Sequence, residues 1–186
     1  LQTVTPATNS ITTAMISDDA VTAAKIADAV SFGKIGQVLQ AVKTDTQEVT
    51  TDNTATDISG LSQAITPSAS TSKILILFTV NIAADPDDHA AIRLVRGSTN
   101  IFIGTDSDAS QNVTAGVRQM SDDQHHMVTI AGQFLDSPST TSETTYKITG
   151  ESNDQFFINR PHTISGTTTV QRPVTSSSIT LMEVLA

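Results

Sequence analysis

The spacing of apolar positions changes near residue 36. Before it, Ile11, Ile16, Val21, Ile26, Val30 and Ile35 stand about one in five. Beyond it, apolar and polar residues alternate over short runs divided by turn residues. The first spacing builds no core from one chain, because a five-residue step turns about 140° around an α-helix and scatters those side chains instead of lining them up. The second is the period of strands with one buried face.

The sparse region is an internal repeat. Ile11–Ile16, Val21–Ile26 and Val30–Ile35 each run from a β-branched residue through a hydroxyl residue to Met or Lys and then Ile. A helix also fits residues 16 to 30, with Ser17-Asp18-Asp19 as a cap and Ile16, Ala20, Ala23, Ala27 and Val30 at heptad-like spacing. Both readings leave apolar positions that other copies must cover, so the expectation is a slender homotrimeric stem. A lone surface helix packed on its own domain is the alternative. Residues 1–10, polar and unperiodic, are expected to be an attachment arm, 11–36 the stem and 37–186 a head.

In the head, Val38–Val42, Gln47–Thr51, Thr56–Ile58 and Leu61–Thr66 read as short strands. Lys73–Ile82 is the most apolar run and predicts a central strand buried on both faces. Ala90–Arg96 turns through Gly97–Asn100 into Ile101–Ile103, and Val113–Met120, Met127–Leu135, Thr144–Thr149 and Phe156–Asn159 follow. Ser178–Leu185 closes the series, with Ile179, Leu181 and Glu183 on one face. Many short strands, regular turn signals and no βαβ pattern predict an all-β fold, a jelly-roll-like β-sandwich head on the N-terminal trimeric stem.

Composition narrows the function. A net charge of −9 without a basic cluster argues against nucleic acid and anionic membranes, and no apolar run is long enough to insert in a bilayer. Cysteine is absent, which removes disulfides, thiolate nucleophiles and thiolate-held zinc. The opening Leu1–Thr5 has neither a methionine nor the regions of a signal peptide, so a processed or excerpted chain is expected.

Candidate chemistry is sparse. No GxSxG elbow accompanies the serines, and no phosphate-binding glycine loop occurs. His125 and His126 adjoin Asp122 and Asp123, but neighbours on a strand face opposite ways and cannot share one ion, unless three copies of one of them met on an axis. The acidic turns at 85–88 and 106–108 lack the calcium-loop pattern. Arg93, Arg96, Arg118, Arg160 and Arg172 are too dispersed for a phosphate site and read as surface or inter-subunit partners. No enzyme, cofactor or metal is expected.

The phrase ISDDAVTAAKIADAV resembles shaft segments of bacteriophage tail-fibre and virion fibre proteins. From Gly36–Gln40 through Ile65–Ser68, Lys73–Ile76, Arg93–Ser98, Phe134–Pro138 and Tyr146–Ile148 to Ile179–Val184, the head looks like the C-terminal heads of marine phage structural proteins. The resemblance implies a non-enzymatic homotrimer on the virion surface, joined to another virion protein through residues 1–36 and displaying its head to a host-cell receptor. A capsid fibre or decoration protein is the structural alternative. A secreted trimeric jelly-roll module, which normally brings a signal sequence or collagen-like stem, is the remote one. Receptor contacts are expected on loops, at Asp87, His89, Asp106, Asp108, Asp122, His125 and His162.

Overall fold

The chain is described by a computed structural model for residues 34–50, 53–86, 88–108, 112–118, 124–164 and 173–185. The arm, and the stem positions Ile11, Ile16, Val21, Ile26 and Val30, lie outside the described residues. Ile35, expected as the last apolar position of the stem, is the first residue of a sheet, and residues 35–186 form a unit with its own core.

Eleven strands and no helix are found among the described residues: β1 (Ile35–Lys43), β2 (Gln47–Thr50), β3 (Thr56–Ile65), β4 (Lys73–Ala84), β5 (His89–Arg96), β6 (Thr99–Ile101), β7 (Ala115–Arg118), β8 (Val128–Asp136), β9 (Thr144–Ser152), β10 (Gln155–Ile158) and β11 (Ser177–Val184). All pairings are antiparallel. Two curled sheets face each other over one apolar core drawn from both.

The pairings reduce eleven strands to eight ranks. β11 pairs the first part of β4 and β10 its last part, along the same edge. β1 and β2 continue each other beside them, and β6 and β7 share one edge of β5 in the same way. With ranks counted in chain order, sheet A runs 1-8-3-6 (β1/β2, β10/β11, β4, β8) and sheet B runs 2-7-4-5 (β3, β9, β5, β6/β7).

The split of rank 8 is held by one residue. Asn159 is buried with φ +62°, a left-handed conformation that asparagine tolerates better than most residues. Its Nδ2 donates to the carbonyls of Lys43 and Asp45 at 2.9 Å, bridging the break between β1 and β2. Its Oδ1 accepts from Ser177 Oγ at 2.6 Å, where the chain rejoins the sheet, and its backbone N donates to Asn81 O on β4. Each buried polar group at the gap thus has a partner, as burial requires.

Three sequence expectations need correction. Thr56–Ile58 and Leu61–Thr66 are one strand, β3, because a bulge at Gly60 (φ +79°) carries the backbone across Lys43 without ending the pairing to β9. β4 is not buried on both faces throughout. Lys73 to Thr79 alternate, and only Val80 to Ala84 are buried without a break, where Asn81 Nδ2 donates to Ser176 O and Phe157 of β10 stands opposite Ala83. The arginines are not surface or inter-subunit residues alone: Arg93 pairs with Glu151 across β5 and β9, Arg96 with Asp136, and Arg160 with Glu48. Arg172 lies outside the described residues.

One close approach lies between the sheets. Phe156 points from β10 into the core, and a Cβ at Gly150 on β9 would lie 2.6 Å from its ring. Gly150→Ala is therefore expected to lower stability by about 1–3 kcal/mol through overpacking. Thermal melts check this, and Phe156→Leu in the same chain should restore part of the loss.

Candidate functional site

The strand directions give the sandwich two ends. Residue 34 enters β1 at one, where the 66–72, 97–98 and 137–143 connections and the end of β11 also lie. The β2–β3, β4–β5, β7–β8 and β9–β10 connections gather at the opposite end.

At the entry end the Glu183 carboxylate is buried. It accepts from Ser68 N and Ser68 Oγ at 2.6 Å and from Gln37 Nε2 at 2.8 Å, tying β11 to β1 and to the β3–β4 connection. Burial alone would raise its pKa, but these donors outweigh it and hold the group down to about 2. The nearby Asp136 closes β8, accepts from Arg96 Nη1 at 2.9 Å on both oxygens and from Tyr146 OH at 2.7 Å, and so bolts sheet A to sheet B.

At the opposite end Phe157 projects from the outer side of β10. The Arg160 guanidinium lies 4.4 Å from its ring centre and the His162 ring meets it edge-on at 5.0 Å. His162 Nε2 is 2.8 Å from Asp85 Oδ1, and Gln155 Nε2 donates to both Asp85 oxygens at 3.1 Å. Arg160 also reaches Glu48 at 2.5 Å, while Thr163 N donates to Gln124 O. This web anchors the β10–β11 connection to the β4–β5 and β7–β8 connections.

His89, His125 and His162 are brought to this end. His89 opens β5, has a largely exposed ring, and places Nδ1 3.2 Å from Asp88 Oδ1. His125 and His126 are exposed in a turn before β8, not on a strand, so the opposite-face argument does not apply to them. Asp106 and Asp108 are not brought here. They sit on the β6–β7 connection at the flank of sheet B, where Asp106 N donates to Asn112 Oδ1. Asp87 and Asp122 lie outside the described residues. Among the described residues no group of three His, Cys, Asp or Glu is placed to hold a metal ion.

Beside this end, the outer face of sheet B carries a groove of about 840 Å³. Ala91, Gly116, Asn53, His89, Arg118 and the Arg93–Glu151 pair are among the residues that line it. Sequence reading missed the groove and the Asp85–His162 contact. Their members are 77 residues apart or on separate strands, and nothing local in the chain joins them.

No protein-family model matches the chain, and comparison with curated proteins gives no match. Among solved structures, the infectious bursal disease virus Gx strain is 10% identical with a TM-score of 0.33, over 81% of this chain and 43% of that one. The Gt strain of that virus is 13% identical with a TM-score of 0.34, over 81% and 38%. The VP2 subviral particle is 12% identical with a TM-score of 0.31, over 80% and 41%. The chain spans less than half the length of these structures. A likeness this distant carries nothing into the functional reading.

Proposed function

We propose that the chain is a non-enzymatic surface protein of a phage virion, a homotrimeric fibre whose head is displayed for attachment to host cells. The observation that carries this reading is the polarity of the head. The chain enters at one end, and the exposed His89, His125 and His126 stand at the other. An attachment module needs that arrangement, with anchorage and contact on opposite sides of a rigid sandwich. The rank orders 1-8-3-6 and 2-7-4-5 fit a jelly roll, in which two Greek keys interlock. The repeat at 11–35, too sparse to bury itself, supports shared assembly. Three linked heads would turn weak single contacts into firm attachment through effective concentration.

Antibodies to residues 85–89 and 124–126, applied to intact virions carrying this chain, are expected to decorate the particle and to block adsorption. Decoration without blocking would favour a structural capsid fibre. Absence of decoration would overturn surface display.

A further inference from the structure

We propose that the outer face of sheet A is a contact surface for a second copy of this chain. The inference rests on the multimeric reading above and locates where heads meet.

The outward positions of sheet A fall in register into rows. Val38, Met182, Leu75 and Leu135 form one across all four ranks. Gln40, Thr180, Leu77 and Gln133 form the next, and Val42, Ser178, Thr79 and Ala131 the third. Val38 is 54% exposed, Val42 52% and Leu135 46%. A solvated antiparallel face normally carries polar and charged residues. These three rows contain no charged residue, in a chain with 19 acidic and 10 basic ones; charge borders them at Lys73 towards one end and at the Glu48–Arg160 pair towards the other. The outer face of sheet B has the ordinary character, with the Arg93–Glu151 and Lys147–Asp57 ion pairs.

Two observations make a copy of the chain the occupant. A molecule of charge −9 repels itself wherever acidic surfaces meet, and these three rows offer two copies a contact without that repulsion. Its edge rank starts with β1, the strand that follows the repeat directly in the chain, so copies joined through the repeat carry this face with them at short tether. Ranks about 4.8 Å apart and rows about 7 Å apart give a patch of roughly 300–400 Å² in projection. That is below the ~800 Å² per partner of a self-sufficient interface. The face therefore adds to an association begun elsewhere.

The absence of cysteine permits a direct test in the intact chain. Val38→Cys and Leu135→Cys are made singly, with Ser142→Cys, exposed in the 137–143 connection, as control. Labelling by an anionic disulfide reagent is measured beside mass by light scattering, with circular dichroism confirming the fold. At multimeric mass, thiols at 38 and 135 are expected to react at least ten-fold more slowly than at 142. Equal rates at multimeric mass would overturn this face while leaving the multimer standing. A single-chain mass would overturn both, and protection persisting in single chains would show that the chain covers its own face.

Discussion

Replacing Asp136 with alanine is expected to destabilise the head by about 2–4 kcal/mol, the loss of a buried carboxylate that holds a buried phenol and a half-buried guanidinium. Its carboxylate is buried and satisfies two groups at once, the Tyr146 hydroxyl at 2.7 Å and the Arg96 guanidinium at 2.9 Å. Alanine would leave the phenol unpaired in the core and the guanidinium without its counter-charge. For a domain of this size the melting temperature should fall by roughly 5–15 °C. Tyr146→Phe removes the hydroxyl but leaves the Arg96 pair, so a smaller loss of about 1–2 kcal/mol is expected. Equal losses in the two variants would contradict the assignment of Asp136 as the joint between sheets.

The same joint predicts alkaline weakness. Burial, and then the hydrogen bond to Asp136, raise the Tyr146 pKa above its ordinary 10.0. The folded state thus favours the neutral phenol. Its contribution is complete below about pH 10 and declines as pH rises further.

Glu183 governs the acid side. Its pKa of about 2 in the folded chain lies below the ordinary 4.5, so the folded state favours the charged form. The stability this supplies, roughly 3 kcal/mol, is complete above about pH 5 and lost as pH falls towards 2. Glu183→Gln places an amide among the donors of Ser68 and Gln37, and should cost about 2–3 kcal/mol at pH 7. It should also flatten the fall in melting temperature between pH 5 and 2. A variant with the same acid profile as the parent would show that other carboxylates govern acid unfolding.

Glu183 also shows how far the sequence reaches. Alternation in Ser178–Leu185 put it on the face of Ile179 and Leu181, and it is buried there. What the sequence lacks is its reason, since Ser68 lies 115 residues away and Gln37 146. The split ranks were equally hidden. Ser178–Leu185 is legible as a strand by its alternation and Val38–Val42 and Phe156–Asn159 as short apolar runs, but their collinear pairing depends on Asn159, which has no local signature beyond a polar residue ending an apolar run. β4 misled for a related reason. Uniform hydrophobicity signals burial on both faces, whereas Leu75 and Leu77 point to an outer face with no cover among the described residues. Of the candidate site, the loops were legible as turn chemistry. That His89 and His125 share one end follows only from strand directions fixed by long-range pairing, and His162 joins them through its contact with Asp85.

The central claim is that copies of this chain assemble into a trimer that displays its heads. Light scattering on the intact chain at neutral pH tests it most directly. Three chains per particle is the predicted result, and a single-chain mass at micromolar concentration would contradict it.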